Sequence, residues 1–595
     1  MRLAAIALLC ACLPHPGGEC SSDADCLGGP SGSFCAESVC QGPPLGALEA
    51  LPSRALGRGE TLHVRLHVQR SHGLASAQVI VAGQAVTAQL EADGALGALV
   101  PLSLAPSGIE AAVPLSVELR DDLGHATTYA ASVTIDDLAP RIAFKASDVP
   151  AAAVLRGSKL SLRIAAQDLT AVSIDGATQN PDGSFSLPVD TATAPPGASV
   201  MTVSANATDA AGNRSTITAQ VPLTRLKYFA QHPGALSIGS LVLAGSRILA
   251  TAGSGEFWFL NRSDGTAIVR PVTSGAVFPR IATDGSRLFF ARGADNMLCR
   301  LLPDGTTQAC CGPYPRLVDG PMLGGSIAIV ATGVDSSTWA QRLIAVPDAG
   351  AVCDTPMVTD QLTNFVKGTP AIAPDGTVYA VGVNFLIASG FDGKSWQSLH
   401  ASVTQTNYSE QPSFRDDNTV LFPINGGFDT LVVPDPTANA KSAVSKVIAP
   451  GNLDVLAPTV AADGTALVAV DKTLFAIALD GSIRWSRIFG SNLTAPPVAG
   501  AGDVVYAGFA SGQILALSLS SGATIWSYDG TAPVRGSLAP GCDGVLYAGT
   551  DDGIVALVID SPGLADSPWP RAGHDVRGTG DARRPLRSPA GACLE

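Results

Sequence analysis

Apolar and polar residues alternate with a period of two along the N-terminal part of the chain. From Leu62 to Val68 every second residue is apolar, and the residues between are polar or charged. Successive side chains of a strand point to opposite faces, so this alternation predicts half-buried β-strands. His63 and His67 share the polar face, but they lie about 13 Å apart on a strand. That is too far for one metal ion, and we predict solvent-facing histidines.

One strand–turn–strand pattern occurs twice in this region. Asp121–His125 (D-D-L-G-H) has a counterpart in Asp209–Asn213 (D-A-A-G-N), 88 residues later (209 minus 121). Asp accepts local backbone hydrogen bonds, and Gly and Asn tolerate positive φ, so both segments predict tight turns. The pattern resembles the last hairpin of bacterial immunoglobulin-like domains. We therefore predict two β-sandwiches acting as spacers, at residues 45–138 and 139–225.

Asp136 and Asp137 stand at the end of the first predicted sandwich. Adjacent carboxylates at a junction between modules are a candidate calcium site. The alternative is that the two acids only end a strand. Both interpretations remain open from the sequence.

Apolar segments recur at a fixed spacing from residue 226 onward. Gly245, Gly285 and Gly325 each lead into an apolar segment, at an interval of 40 residues. Further copies are centred on Tyr379, Leu421, Leu467, Tyr506 and Tyr547. A 40-residue period with several strands and Asp-Gly turns predicts propeller blades, and the missing 3.6-residue periodicity excludes a helical repeat. Eight copies predict eight blades, with seven as the alternative if one weak copy is a loop.

The later repeats resemble those of the pyrroloquinoline-quinone (PQQ) type propeller family. Ala516–Trp526 (A-L-S-L-S-S-G-A-T-I-W) is similar to the family signature A-x-D-x-x-T-G-x-x-x-W, with Ser518 and Ser521 as departures. Phe475–Trp485 is a shorter version and Phe391–Trp396 a more degenerate one. In this family the tryptophan docks between adjacent blades. The resemblance therefore implies blade-docking roles for Trp396, Trp485 and Trp526.

The C-terminal region carries a second part of the resemblance. Trp569–Gly580 is similar to the W-P-x-x-x-H-D-x-x-x-T-G segment that closes such rings. The predicted fold class is therefore all-β, with an eight-bladed β-propeller at residues 226–585 and a tail at 586–595. Two immunoglobulin-like sandwiches and a short disulfide-rich segment precede the propeller.

Composition and charge restrict the possible partners. Of 595 residues, 46% are hydrophobic and 15% charged, which is too apolar for a disordered chain. The 37 basic and 51 acidic residues give a formal charge of −14, and no basic run is present to follow a nucleic-acid backbone. No apolar stretch reaches the 18 residues that span a bilayer. We predict no nucleic-acid partner, and membrane attachment only through a lipid.

The first residues resemble a bacterial export signal. Arg2 precedes an uncharged stretch from Leu3 to Leu13, and Leu9–Cys12 (L-C-A-C) is similar to a lipobox. Residues 1–12 are thus predicted to be a signal peptide with a lipobox, and Cys12 the lipidated residue. An outer membrane lipoprotein, periplasmic or on the cell surface, is the predicted location. A plain signal peptide cut nearby is the alternative.

The cysteines indicate an oxidising compartment. Ten remain after Cys10 and Cys12, an even number. Residues 13–44 form a predicted cysteine-rich stalk, whose spacing is unlike that of a zinc site. Two disulfides among its four cysteines are expected, and all three connectivities remain open; the four are Cys20, Cys26, Cys35 and Cys40.

A quinoprotein dehydrogenase dependent on PQQ and calcium is the alternative function. Those enzymes carry a vicinal disulfide, and Cys310 and Cys311 are adjacent. Their calcium ligands include a glutamate, but neither Glu256 nor Glu410 falls in the family's calcium motif. A competing arrangement pairs Cys299 with Cys310 across the Asp304-Gly305 turn. It would also pair Cys311 with Cys353, and Cys542 with Cys593.

We predict a non-enzymatic binding scaffold. The propeller would bind an envelope protein or an extracellular glycan through its rim loops. In style it resembles the lipoprotein propeller of the outer-membrane-assembly machinery. No catalytic, cofactor-binding or metal-ligating residue is assigned, and no cofactor is predicted apart from PQQ with calcium under the alternative.

Overall fold

The structure is a computed structural model of the full chain. It describes residues 34–36, 39–70, 73–232, 238–252, 255–269, 277–302, 306–314, 316–317, 319–324, 327–332, 342–347, 357–358, 369–382, 385–391, 396–402, 411–417, 419–424, 427–432, 444–447 and 455–595.

Short antiparallel strands begin the described chain and lead into the first sandwich. The first two, β1 (Phe34–Ala36) and β2 (Val39–Gln41), form a hairpin. The next nine are β3 (Leu45–Leu48), β4 (Leu56–Gly57), β5 (Thr61–Arg70), β6 (Leu74–Val81), β7 (Gln84–Thr87), β8 (Gln89–Leu90), β9 (Leu96–Pro101), β10 (Glu110–Asp121) and β11 (Ala126–Asp136). They form two sheets, β3-β5-β9-β8 and β4-β11-β10-β6-β7, whose inward side chains share one core.

The following stretch repeats this arrangement with eight strands. They are β12 (Arg141–Phe144), β13 (Val154–Leu155), β14 (Lys159–Gln167), β15 (Val172–Ile174), β16 (Thr178–Gln179), β17 (Phe185–Asp190), β18 (Val200–Asp209) and β19 (Arg214–Thr224). The sheet orders are β12-β14-β17-β16 and β13-β19-β18-β15. Two single-turn 3₁₀ helices, Leu102–Leu104 and Thr191–Thr193, follow β9 and β17.

The chain divides into two compact units. The first contains Met1–Ala151, Lys159–Val189 and Thr202–Val221, and the second contains Ala152–Ser158, Asp190–Met201 and Pro222–Glu595. The division differs from the predicted boundary at residue 225, because three segments of the predicted second sandwich (139–225) belong to the second unit: Ala152–Ser158, Asp190–Met201 and residues 222–225.

The second unit contains a ring of four-stranded antiparallel sheets. Its strands are β20 (Leu226–Gln231), β21 (Ile238–Ala244), β22 (Arg247–Ala252), β23 (Glu256–Asn261), β24 (Ala267–Val269), β25 (Val277–Thr283), β26 (Leu288–Arg292), β27 (Met297–Leu301), β28 (Thr307–Cys311), β29 (Met322–Gly324), β30 (Ile327–Thr332), β31 (Arg342–Pro347), β32 (Met357–Val358), β33 (Ala371–Ile372), β34 (Val378–Gly382), β35 (Phe385–Phe391), β36 (Trp396–Ser402), β37 (Ser413–Phe414), β38 (Thr419–Ile424), β39 (Gly427–Val432), β40 (Val444–Val447), β41 (Thr459–Val460), β42 (Ala466–Val470), β43 (Thr473–Ile477), β44 (Ile483–Ile488), β45 (Leu493–Gly500), β46 (Val504–Phe509), β47 (Gln513–Ser518), β48 (Thr524–Asp529), β49 (Val534–Pro540), β50 (Val545–Thr550) and β51 (Gly553–Val558).

Strand order shows how the ring closes. From β21 to β48, each group of four consecutive strands forms one sheet. The last sheet has the order β20-β51-β50-β49, so the first strand of the ring, β20, is the outer strand of its final sheet. The first strand of each sheet lies innermost, and β49 contacts β21, which in turn contacts β25. The ring is therefore held shut by strand pairing between its two ends, which removes exposed inner edges.

Burial follows from this arrangement. Sheets in the ring pack between two neighbours, so strands such as β42 and β50 are buried at every residue. Strand β18 of the sandwich region instead alternates between buried and exposed residues, as expected for a sheet with one wet face.

The all-β propeller prediction is confirmed. Within the described ranges, no helix has the length and hydropathy that a bilayer crossing needs.

Candidate functional site

The innermost strands of the ring surround a cavity of about 200 Å³. One end is lined by residues 569–580, which we call the closing segment. Strands β21, β25, β45 and β49 and the closing segment contribute wall residues, and Pro321, Thr369, Gln411 and Leu456 complete the wall. These residues include Ser240, Val242, Arg280, Ile281, Pro496, Arg571, Ala572, Gly573 and Gly578.

The closing segment is hydrogen-bonded to six different sheets. Its backbone carbonyls accept hydrogen bonds of 2.7–2.9 Å from the innermost strands of those sheets. The donors are the backbone N–H groups of Leu243, Thr283, Leu323, Ile372, Val460 and Ala499. The segment that the sequence assigned to ring closure is thus a hub for most of the ring.

Local interactions set the shape of the closing segment. The Asp575 carboxylate accepts hydrogen bonds from the Arg577 and Thr579 backbone N–H groups at 3.1 and 3.0 Å. His574 has a φ of +67°. Its ring nitrogens lie 2.8 Å from the Pro568 carbonyl oxygen and 3.0 Å from that of Arg584. The contacts of Asp575 and His574 stabilise a tight turn. Each His574 ring nitrogen is within hydrogen-bond distance of a backbone carbonyl oxygen, so these contacts indicate a structural role for the imidazole.

Arg571 brings a positive charge to the cavity. Its residue surface is only 2% exposed. Nη1 donates to the Asp575 carbonyl oxygen at 2.5 Å, and Nη2 donates to the Leu241 carbonyl oxygen at 3.4 Å. Nε is buried and has no hydrogen-bond partner. Burial lowers the pKa of Arg571 to about 10, so the side chain stays charged at neutral pH.

A second arginine, Arg280, also lines the cavity and is hydrogen-bonded to Gln411. Arg280 Nη1 donates to Gln411 Oε1 at 2.8 Å, and its Nε lies 3.4 Å from Asp319 Oδ2. Gln411 Oε1 also accepts from the Gly573 backbone N–H at 3.0 Å. Gln411 Nε2 donates to the Pro370 carbonyl oxygen at 2.7 Å. Gln411 therefore couples the wall of the cavity to the closing segment.

Two of the predicted blade-docking tryptophans lie against the next sheet. Trp485 Nε1 donates to the Leu519 carbonyl oxygen at 2.7 Å. Its ring lies over Gly522, where an added Cβ would come within 2.9 Å of ring carbons. Trp526 is buried, and the Arg225 guanidinium lies 4.9 Å from its ring centroid. The side chain of Trp396 lies outside the described part of the structure.

Sequence reasoning missed a third residue of this kind, Tyr228 on β20. Its hydroxyl lies 3.1 Å from the Arg262 carbonyl oxygen. Its ring lies where a Cβ on Gly265 would approach to 2.5 Å. Arg262 and Gly265 have the same spacing as Leu519 and Gly522, so Tyr228 takes the docking position between the last sheet and the first.

Two of the proposed cysteine pairs lie at bonding distance. The Sγ–Sγ separation is 2.03 Å for Cys299 and Cys310, and 2.04 Å for Cys542 and Cys593. Cys311 is also disulfide-bonded, and its predicted partner Cys353 lies outside the described residues.

The N-terminal cysteines are only partly described. Cys35 is disulfide-bonded, and its backbone is paired in register with that of Cys40 across the β1–β2 hairpin. Cys12, Cys20 and Cys26 lie outside the described residues. The connectivity of the stalk stays open.

The residues considered for a quinoprotein site make other contacts in the structure. Cys310 is bonded to Cys299, so it does not form a vicinal disulfide with Cys311. Glu256 Oε1 lies 3.1 Å from His232 Nε2, and Glu410 lies outside the described residues. The dehydrogenase alternative has no support from these side chains.

A group of carboxylates lies in the first unit, near the predicted junction. Oxygens of Glu110, Asp136 and Asp168 lie within 4.8 Å of one another. Burial raises the pKa of Asp136, and the charges of Asp168 and Asp209 raise it further. Asp137 is not in this group, because its carboxylate accepts a hydrogen bond from the Gly108 N–H at 2.8 Å. The calcium site predicted through Asp136 and Asp137 stays a prediction.

The two strand histidines have separate partners. His63 Nε2 lies 2.6 Å from Glu91 Oε1, and His67 Nε2 lies 2.8 Å from Glu49 Oε1. Both histidines are exposed. They do not face a common ligand.

The outer strand β44 exposes apolar side chains. Ile488 is 77% exposed and Ile483 is 48% exposed, while Leu479 in the preceding turn is also exposed. Because β44 is the last strand of its sheet, one of its backbone edges has no strand partner among the described strands. Exposed apolar residues on an unpaired edge are typical of a surface that pairs with another chain.

Comparison with known proteins supports the repeat resemblance. Residues 374–539 match the sequence family PQQ_2, described as outer membrane protein assembly factor BamB. The outer membrane protein assembly factor BamB of Shewanella oneidensis is 33% identical over 111 residues, which make up 18% of this chain and 27% of that relative. Residues 374–539 therefore carry PQQ-type propeller repeats, as the motifs predicted.

The solved structures that superpose on this chain have low sequence identity to it. BamB from Moraxella catarrhalis has a TM-score of 0.43 and 15% identity, covering 56% of this chain and 99% of that one. The computationally designed Ika8 protein has a TM-score of 0.43 and 12% identity, covering 56% and 100%.

Proposed function

We propose that this protein is an exported, lipid-anchored scaffold of the cell envelope that binds an envelope protein through its propeller. The partner would contribute an extended segment that pairs with β44 and covers Ile483 and Ile488. No catalytic step is part of this function. The single observation that carries the proposal is the apolar, unpaired outer edge of β44.

The position of this strand along the chain supports a protein partner. Strand β44 lies inside residues 374–539, the stretch that matches the assembly-factor family. Extended segments that add to a sheet edge gain main-chain hydrogen bonds, and alternate side chains then fill apolar contacts. The partly buried side chain of Trp485 fixes the strand against the next sheet, so the edge is already ordered before a partner arrives.

The N-terminal sequence supports attachment to a membrane. One acyl group gives only marginal membrane binding, whereas the diacylglyceryl and amide-linked chains of a bacterial lipoprotein give a stable anchor. Cys12 is the residue we propose to be modified. Membrane fractionation tests this part alone, because Cys12→Ser should release the protein from the membrane pellet while leaving partner binding intact.

The partner site is tested with a photo-cross-linking amino acid at Ser486, an exposed position of β44. We expect one protein adduct in intact cells, identified by mass spectrometry. Ile488→Glu should remove that adduct, because it places a charge where the partner needs an apolar contact.

Leu99→Glu is the matched control, since Leu99 is 65% exposed but lies on the first sandwich. It should leave the Ser486 adduct unchanged. An adduct that survives Ile488→Glu, or one lost equally in Leu99→Glu, would refute the docking strand. A chain that forms no protein adduct but is retained on an envelope-glycan column would point to the glycan partner instead.

A further inference from the structure

We infer that the central cavity of the ring is a binding site for a small carboxylate ligand, held by Arg571. This inference is independent of the docking strand β44. It rests on the burial of Arg571, the lack of an ion-paired carboxylate for it among the described residues, and the space beside it.

Arg571 forms no ion pair with a described residue, although the charge of Asp575 partly offsets the effect of burial on its pKa. No carboxylate lies within ion-pair distance of its guanidinium in the part of the chain that the structure describes. The nearest acidic residue on the same segment, Asp575, directs its carboxylate to the N–H groups of Arg577 and Thr579 and to the Thr579 hydroxyl. The backbone carbonyl of Asp575 accepts the hydrogen bond from Arg571, and the carboxylate acts on Arg571 through its charge alone. A buried charge without a counter-ion is costly, so an anion in the cavity would be stabilised there.

Another buried arginine of the same ring shows the usual arrangement. Arg262 donates to Glu595 Oε1 at 2.9 Å and lies 2.9 Å from Asp543 Oδ1. Burial alone lowers the pKa of Arg262, but its hydrogen bonds with Glu595 and Tyr547 raise it above the usual range. Arg571 has no such partners, and burial lowers its pKa. The difference indicates that no described residue of the chain supplies an ion-paired carboxylate to Arg571.

A third buried arginine, Arg415, shows what burial alone does where no cavity is adjacent. Arg415 is 4% exposed, and its Nε also has no partner. Its guanidinium donates to three consecutive carbonyls, at Ile477, Ala478 and Leu479, with distances of 3.2–3.4 Å. Arg415 does not line the cavity. Of these three buried arginines, Arg571 is the one that both lacks an ion pair among the described residues and lies beside the cavity.

The lining defines the class of ligand. The second cation, Arg280, is already paired with Asp319, so the site favours a single negative charge. Val242, Ile281 and Pro496 provide apolar walls for the rest of the molecule. A volume of about 200 Å³ is below the roughly 300–1,000 Å³ of pockets for drug-sized ligands. A short-chain monocarboxylate satisfies all three conditions.

Acetate is the probe, used with the full-length protein. Saturation-transfer NMR follows the methyl signal of acetate at constant ionic strength, with chloride as the balancing anion. We expect transfer to acetate in the wild-type protein. Arg571→Gln should weaken acetate binding by at least about tenfold, because it removes a charge-assisted hydrogen bond. Arg571→Lys, which keeps the charge with fewer donors, should give an intermediate affinity.

Arg415→Gln is the matched control, because it removes a buried arginine of the same ring away from the cavity. It should bind acetate as the wild type does, even if both variants lower the unfolding temperature. Absence of transfer in folded wild-type protein overturns the proposal without reference to any variant. Equal loss in Arg415→Gln, or displacement of acetate by equimolar phosphate, would overturn the assignment of a carboxylate to Arg571.

Discussion

The contribution of the Trp485 contact to packing between neighbouring sheets can be measured by substituting one glycine, Gly522. Gly522 has a φ of +71°, and a Cβ there would lie 2.9 Å from two carbons of the Trp485 ring. Gly502, in the same sheet, has a φ of +74°, but a Cβ there would meet no atom closer than 3.8 Å. Gly522→Ala and Gly502→Ala therefore share the backbone strain and differ only in the contact with tryptophan.

The two substitutions should differ in cost. A left-handed conformation costs a non-glycine residue roughly 1–2 kcal/mol, so Gly502→Ala should lower the local stability by about that amount. The Trp485 ring is held by its hydrogen bond to Leu519 and cannot move away freely. Overpacking of this kind adds about 1–3 kcal/mol. Gly522→Ala should therefore cost about 2–5 kcal/mol.

Native-state hydrogen exchange is the assay, since it reports local opening free energies within a large protein. Peptides covering β47 and β48 report the sheet, and peptides from the first unit serve as an internal reference. In a Trp485→Ala background the excess cost of Gly522→Ala should fall within about 0.5 kcal/mol of zero. Equal costs for the two glycines in the wild-type background would refute the docking role of Trp485.

Three further predictions concern the carboxylate group and the disulfides. Because burial and two neighbouring carboxylates raise the pKa of Asp136 above 3.8, its contribution to stability is lost as pH rises through that raised value. Asp136→Asn should therefore raise the free energy of unfolding of the first unit at pH 7 by on the order of 1 kcal/mol, and with it the unfolding temperature. Calorimetry should show this gain in stability shrinking as the pH falls toward 3.8. Non-reducing peptide mapping should recover the pairs Cys299–Cys310 and Cys542–Cys593, and a Cys310–Cys311 peptide would contradict them. Cys542→Ser should cost up to about 4 kcal/mol for a loop of this length, measured by denaturant unfolding.

Much of the fold could be predicted because strand patterns and repeats are local signals. The alternation at Leu62–Val68 and the recurrence of Gly245 and Gly285 depend on a few neighbouring residues. The expected docking of Trp485 came from a family signature, of which its segment is a version one residue shorter.

Other features depend on contacts between distant parts of the chain. Tyr228 lies before the first repeat and belongs to no motif, so its docking role emerges only when β20 joins β51. Arg571 occupies a variable position of the closing motif, and its missing counter-ion is a property of the assembled ring. The one available signal was an arginine within an apolar segment. The carboxylate group likewise joins Glu110 and Asp168, which are 58 residues apart (168 minus 110).

The closure of the ring has a consequence for how the protein is made. Strand β20 begins at residue 226 and its partner β51 ends at residue 558, a gap of 332 residues. At ordinary synthesis rates roughly 20–60 s separate their appearance. The hub that joins six sheets is made later still, so a chain stopped before residue 580 lacks a contact shared by most of the ring. A chain truncated before this segment therefore keeps an open ring, which quality-control proteases would attack.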